Sequence, residues 1–409
     1  MPATPDSSPL PLPQTFGQRL RAVRERVGMS RPVLGGLVGR SAEWVKALEG
    51  GRLHVPRLPL LLRLADALGV DDLAELTGDE RLSAATYTKA VHPGLPSVRA
   101  ALTRYHFDGG DEPESADALV ARVRQAWQLW HGIGDHRANV ALVLPDLVAD
   151  CQRSARGLEG ADRRRVLVAL AETYHLAQLF LSFQPAPELV MLTGDRAMTA
   201  AQDADSPRSI AVAAWYMNHV FRDAGERHEA RVELAMQAAE LLDPDRGPGD
   251  LARWGLLHLA AALSFAKVGR RGDAERHWDR ADDAARRLGG YVHPWLIFGR
   301  GMVDAYAITM NADLVSPGRA IDAATHIDLA PMPSATRRSF HLVESARAYR
   351  LQGEDVAVVH LLRKAHEASP ETVRFNTFAR PAVAELATGR NAMIREDARA
   401  LARRMGVPA

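Results

Sequence analysis

The residue types that most often carry chemistry are present in this chain but are not assembled. Fifteen histidines are spread over 409 residues, and none stands at a metal-ligand spacing from another. His360 and His366 are six residues apart and fall on different faces of a helix. His131 and His136 flank an expected loop, where a metal would need partners from elsewhere. There is no glycine-rich phosphate loop, HExxH, CxxC or nucleophile elbow. The sequence therefore predicts no enzyme, no cofactor and no metal site. Its single cysteine, Cys151, excludes an internal disulfide and fits a reducing, cytoplasmic setting.

Charge is distributed more tellingly than its net value of +1 suggests. Residues 15–78 hold ten basic side chains (Arg19, Arg21, Arg24, Arg26, Arg31, Arg40, Lys46, Arg52, Arg57 and Arg63) against seven acidic ones. The remainder is slightly acidic. This asymmetry permits a polyanionic partner. Four of the 51 basic residues are lysine, a bias that fits a GC-rich genome, and an actinobacterial source is the expectation.

The elements that must position these side chains read as helices throughout, and no alternating Val/Ile/Thr run suggests a sheet. The length allows two or three domains, and 47% hydrophobic with 25% charged residues is ordinary for a globular chain. The first 14 residues are rich in Pro and Ser, lack the apolar core of a signal peptide and read as a disordered tail. The longest uncharged stretch, Thr173 to Pro187, is too short to span a bilayer. A first helix should start at Thr15, where Thr15 and Gln18 make a capping box, and bury Leu20, Val23 and Val27. Gly28 should close it. Ser30 and Ser41 should cap the second and third helices, and Gly50-Gly51 should end the third. Pro56 and Pro59 open a fourth, with Leu61, Leu64 and Leu68 on one face before Gly69. Asp71 or Asp72 starts a fifth, ending near Gly78. Residues 79–115 read as a linker with a short helix over Ser97 to Tyr105 between HPGLP and DGGDEPES. From Ala116 to the C-terminus, long helices alternate with short polar loops.

Within the first unit, Arg31 to Glu49 reads as two helices crossing at a tight turn. Gly35 is small enough for the crossing, Gly39 tolerates the positive φ of the turn, and Leu34, Val45 and Leu48 supply apolar contacts. The stretch RPVLGGLVGRSAEWVKALEGG resembles the Xre, or phage-repressor, family of helix-turn-helix domains, and the likeness extends over residues 15–78. The resemblance implies that Arg24 and Glu49 form a structural ion pair. It also implies that the third helix enters the major groove of DNA, presenting Ser41, Ala42, Glu43, Lys46 and Trp44. Ser41 doubles as the helix cap. Ala42 could meet only a thymine methyl, Glu43 could accept from a cytosine amino group, and Lys46 is the strongest base or phosphate contact. Arg31 stands at a phosphate-binding position, and Arg52, His54 and Arg57 lie in the loop that holds the backbone or reaches the minor groove. Two features depart from the family. Arg40 replaces an apolar residue after the turn glycine, and the recognition surface is poor in Arg, Gln and Asn, which leaves specificity to shape, dimer spacing or the second domain.

The second region repeats a spacing of small and large residues. One copy is Ala262, Phe265, Ala274, Trp278 and Ala281. Another is Ala346, Tyr349, Val358, Leu362 and Ala365, with Pro370 beyond it. A weaker copy includes Phe221, Ala230 and Leu234, and hairpins are expected near 116–157, 161–204 and 296–327. The pattern resembles the tetratricopeptide repeat, which implies an all-α solenoid over residues 116–409 with a concave inner wall. Carried over in register, that wall includes Trp215, His219, Arg222 and Asp223, then Leu259, Leu263 and Lys267, then Val343, Arg347 and Arg350. Apolar and cationic side chains together suit an effector with an apolar body and an anionic end, such as a peptide carboxylate. The two-part plan resembles the RRNPP regulators, in which a helical domain binds a signalling peptide and alters DNA binding. The expectation is a homodimeric transcription regulator responding to a peptide or small molecule. The alternative is a repeat scaffold that recruits a partner protein to DNA.

Overall fold

The computed structural model describes residues 15–78, 89–105, 112–132, 134–224, 227–389 and 391–407, with the backbone only at 222–224. The tail expected at 1–14, and residues 79–88 and 106–111 of the expected linker, lie outside the described residues. Those described are helical, with no strand among them, so the chain is all-α. It divides into two compact units, Met1–Tyr87 and Thr88–Ala409.

The first unit is built from α1 (Phe16–Arg26), α2 (Arg31–Leu37), α3 (Ala42–Glu49), α4 (Leu58–Leu68) and α5 (Ala74–Thr77). Local chemistry sets their ends. Thr15 and Gln18 exchange the two hydrogen bonds of a capping box. Ser30 accepts from the Val33 amide and Ser41 from the Trp44 amide. Gly69 and Gly78 close α4 and α5 in the left-handed region. Leu20, Leu34, Val45, Leu48, Leu61, Leu64 and Leu76 fill one core. Val27, expected in that core, is instead 45% exposed, because α1 ends at Arg26 and Val27 is its cap.

The second unit starts earlier than the sequence suggested. The short helix α6 runs Leu95–Thr103 and buries Leu95, Val98 and Leu102 in the same core as the long helices, so this part of the expected linker is packed structure. Antiparallel hairpins follow: α7 (Ala116–His131) with α8 (His136–Gly157), α9 (Gly160–Leu181) with α10 (Pro187–Asp203), α11 (Pro207–Ala224) with α12 (His228–Glu240), α13 (Pro248–Lys267) with α14 (Arg271–Leu288), α15 (Arg300–Asp313) with α16 (Pro317–His326), and α17 (Ala335–Arg350) with α18 (Asp355–Ala368). Three further helices, α19 (Pro370–Phe375), α20 (Ala379–Thr388) and α21 (Ala392–Met405), end the unit. The small residues of the repeated spacing sit where helices touch: Ala262, Ala274, Ala281, Ala346 and Ala365 have no exposed surface. One apolar core runs from Leu95 to Met332, and a second from Val343 to Met405.

An open solenoid makes contacts only between neighbouring repeats. This unit does more. The Glu371 carboxylate accepts from the Arg137 amide at 2.6 Å and lies 3.2 Å from His92 Nε2. His136 Nδ1 lies 3.2 Å from Ser369 Oγ, and His131 bridges Ser334 Oγ (2.8 Å) and the Trp295 carbonyl (3.0 Å). Residues separated by more than 200 positions are therefore joined, and the early helices are bonded to the late ones. Burial pushes the Glu371 carboxyl up, but the His92 ring, the Arg137 amide and the nearby His136 outweigh it and hold it below the ordinary carboxylate range. Arg137, 4% exposed, gives its guanidinium to the carbonyls of Leu179 and Phe180. Truncating Glu371 strips the acceptor from this seam. Glu371→Ala is expected to lower the stability of the unit by about 3–5 kcal/mol, the range for removing one partner of a buried charged network. A urea midpoint unchanged from the wild type would show that the seam does not hold the ends together.

Candidate nucleic-acid interface

The geometry of α1–α3 rests on two backbone approaches. A Cβ on Gly35 would stand 2.8 Å from the Arg40 carbonyl oxygen, so the crossing of α2 over the turn admits no side chain. Gly39 sits at φ +66°, the left-handed conformation its turn requires. Gly17 was not anticipated: its Cβ would stand 2.4 Å from the Glu49 carbonyl oxygen and 2.5 Å from that of Leu48. The start of α1 thus lies directly on the end of α3. The only signal in the sequence was a glycine in the first turn of a helix, which is too common to read.

Glu49 anchors the arrangement. Its side chain is 2% exposed. Arg24 grips both carboxylate oxygens, Nε at 2.5 Å and Nη2 at 3.3 Å, and donates through Nη1 to the Met29 carbonyl. The side-chain bond to Glu49 outweighs burial and raises the Arg24 pKa above the ordinary arginine value. Arg31, expected at a phosphate, also turns inward: its Nε lies 2.7 Å from the second Glu49 oxygen. It remains about a third exposed, and it ties the N-terminus of α2 to the end of α3.

The remaining candidates lie on α3 and in the loop that follows it. Ser41 is buried as the cap of α3, Ala42 and Trp44 are half-buried, and Glu43 and Lys46 are exposed. Glu43 and Lys46 pair across one turn at 3.5 Å, an exposed contact that contributes about 1 kcal/mol or less and yields readily to a stronger partner. Arg40 donates to the Gly39 carbonyl and places its guanidinium 5.7 Å over the Trp44 ring, so its head escapes the core. Arg52 and His54 are half-buried and Arg57 exposed in the loop between α3 and α4. On α3 itself the side chains that reach solvent, Glu43 and Lys46, are charged, while Val33, Leu37 and Val55 are exposed on the adjoining helix and loop; Gly17, Gly35 and Glu49 hold the frame.

Residues 15–76 match the helix-turn-helix domain family. The N-terminal unit is a helix-turn-helix domain. A helix-turn-helix domain supports a DNA-binding regulator. No curated protein matches the chain as a relative. Among solved structures, the crystal structure of BtubC (BKLC) from P. vanneervenii aligns at 14% identity over 62% of this chain and 90% of that one, with a TM-score of 0.35. A superposition at that level supports no statement about fold or function. No helix among the described residues is long and apolar enough to cross a membrane.

The residues expected on a concave effector wall are not brought together as one. Trp215 is 1% exposed and packs edge-on against His219 and Tyr306. Leu259 and Val343 have no exposed surface, and Leu263 is also buried. Lys267 and Arg347 both bind Asp313, at 3.2 and 2.9 Å, and Arg347 also takes Glu344. Arg350 pairs with Asp355 and Glu385. These cations clamp one hairpin to the next. The side chains of Arg222 and Asp223 lie outside the described residues. The correction has a physical reason. In a unit whose helices pack this closely, neighbouring hairpins cover Trp215, Leu259, Leu263 and Val343, which among the described residues present no open wall.

Proposed function

We propose that this chain is a homodimeric transcription regulator whose helical unit binds a small effector and thereby changes operator affinity. The single observation that carries the reading is the exposed polar face of α3, held rigidly by the buried Arg24–Glu49–Arg31 network. Glu43 and Lys46 would face base edges, and Arg52 and Arg57 would meet the phosphates. A two-fold dimer would read two half-sites about 34 Å apart. The long second unit supports an added input, since DNA recognition itself needs only the first.

An operator recovered by selection from random duplexes tests the reading. Lys46→Ala is expected to lose about 1–3 kcal/mol of discrimination between the selected site and random DNA. Arg57→Ala and Arg52→Ala should weaken both alike and each reduce the salt slope by about one unit. Arg31→Ala should instead weaken DNA binding together with the thermal midpoint, because it leaves Glu49 short of a partner. Equal affinity of all four variants and the wild type would sink the docking of α3. If operator affinity is indifferent to cell extract and small molecules alike, the helical unit acts as a scaffold that recruits a protein.

A further inference from the structure

The second unit contains a cavity that the repeat pattern did not foretell. Two recesses, of about 150 and 530 Å³, share Trp127 and Trp295 as walls. The inner one is lined by Glu172, His175 and Arg253, and the outer, more open one by Arg124. Trp127 is 2% exposed, yet its indole Nε1 has no acceptor among the described residues. His175 is 1% exposed, and its Nδ1 likewise has no partner there. Arg253 spends Nη1 on the Gly249 carbonyl, while its Nε–H is buried without an acceptor. Buried donors left unmade are costly, and three polar atoms without partners around one hollow mark a place where a ligand would make those bonds.

The charges and shapes narrow the ligand. Arg253 and Arg124 are cationic, and Arg208 at the inner recess is already neutralised by Asp250. Among the described residues that line the recesses, the carboxyl is that of Glu172, whose charged form the nearby Trp295 indole favours. Cations therefore outnumber anions, which suits an acid. The half-buried Trp295 indole and the edge of Trp127 give the recess aromatic walls, which suit a planar ring. Glu172 can take a donor from that ring. We propose that the paired recess is the effector site, and that it takes a small aromatic carboxylate bearing a hydrogen-bond donor. Its carboxylate would meet Arg253 and the Trp127 N–H, its ring would lie between the indoles, and its hydroxyl or amino group would face Glu172. Burial raises the Glu172 carboxyl to about 7, which reduces its repulsion of an incoming acid near neutrality. This assignment rests on the effector-responsive reading given above.

Calorimetry on the full chain tests it, with salicylate and anthranilate as the probes and benzoate and phenol as the controls. Saturable binding of one molecule per chain is expected for the hydroxy or amino acid. Benzoate, lacking the donor, should bind about tenfold more weakly, and phenol, lacking the acid, more weakly still. Trp127→Phe keeps an aromatic face and removes the indole N–H together with the pyrrole half of the ring. It should weaken binding about tenfold while lowering the thermal midpoint of the free chain by a few degrees, and Arg253→Met should weaken binding further. Absence of saturable heat for both aromatic acids at millimolar concentration overturns the assignment, as does binding indifferent to both substitutions. Operator affinity measured with and without salicylate separates the two readings. Binding without any change at DNA leaves the site standing and removes the coupling. An extract that alters operator affinity while neither acid binds leaves the regulator standing and removes this site.

Discussion

Between pH 7 and pH 5 the helical unit is expected to lose most of its stability. Burial lowers the pKa of six of its histidines, to about 4 for His131 and to about 3 for His136, His175, His258, His293 and His341. Each is therefore neutral in the folded chain and free to take a proton near pH 6.5 once unfolded. A depressed folded pKa contributes stability that is present above the unfolded value and lost as pH falls towards the folded one. At pH 5 the loss is about 2 kcal/mol for each group, on the order of 10 kcal/mol for the set, against a typical total of about 5–15. Glu172 works the other way, since its raised pKa of about 7 lets the folded state take up a proton as pH falls. It is one group against six, and the histidines decide the direction. An acid titration followed by circular dichroism should show cooperative loss of helix well above the carboxylate range. Full helicity retained at pH 4 would refute the account. His341 offers the sharpest variant, because both its ring nitrogens are buried without a partner among the described residues. Replacing such a ring with an apolar side chain removes an unmet polar cost. His341→Leu should raise the urea midpoint at pH 7 and move the acid transition to lower pH.

Gly17→Ala should cost the DNA-binding domain more than any exposed change on α3. One methyl there would stand 2.4 Å from a carbonyl oxygen of α3, and backbone cannot rotate aside as a side chain can. Over-packing typically costs about 1–3 kcal/mol, and a rigid neighbour places this case at the upper end. Arg24→Ala should cost about as much or more. It leaves the Glu49 carboxylate, 2% exposed, with Arg31 alone, and breaking a buried pair typically costs about 3–5 kcal/mol. In scanning calorimetry of the full chain both variants should show an early transition for the first unit, with the second unit unmoved, and both should lose operator binding. Normal DNA affinity in Gly17→Ala at 37 °C would mean that α1 can shift without disturbing α3.

The first unit was legible because its signals are local. A serine three residues before an amide it caps, or a glycine after the last turn, needs nothing from the rest of the chain. The Arg24–Glu49 pair became readable through family resemblance, whereas the recruitment of Arg31 by the same carboxylate did not, since that depends on how α2 lies against α3. In the second unit, helix positions followed from spacing, and Ala262 and Ala346 mark helix contacts as their size suggests. Which faces stay open could not be read. The period of a hairpin places Trp215, Leu259 and Arg347 on one side of their helices, but neighbouring hairpins cover that side. The cavity between Trp127 and Trp295 joins residues far apart in sequence, and no local pattern announces it.

The bonds from His92, His136 and Arg137 to residues 369 and 371 also bear on how the chain is made. A ribosome adding about 5–20 residues per second needs on the order of ten to fifty seconds to travel from one side of that seam to the other. Through that interval Arg137 and the ring of His136 have no late helices to cover them, and the early hairpins wait half-clad. Long-range closure is slow even after synthesis ends, because the entropy of bringing distant segments together is spent before any contact repays it. Truncated chains that stop short of Glu371 should therefore be the ones chaperones hold and proteases find first.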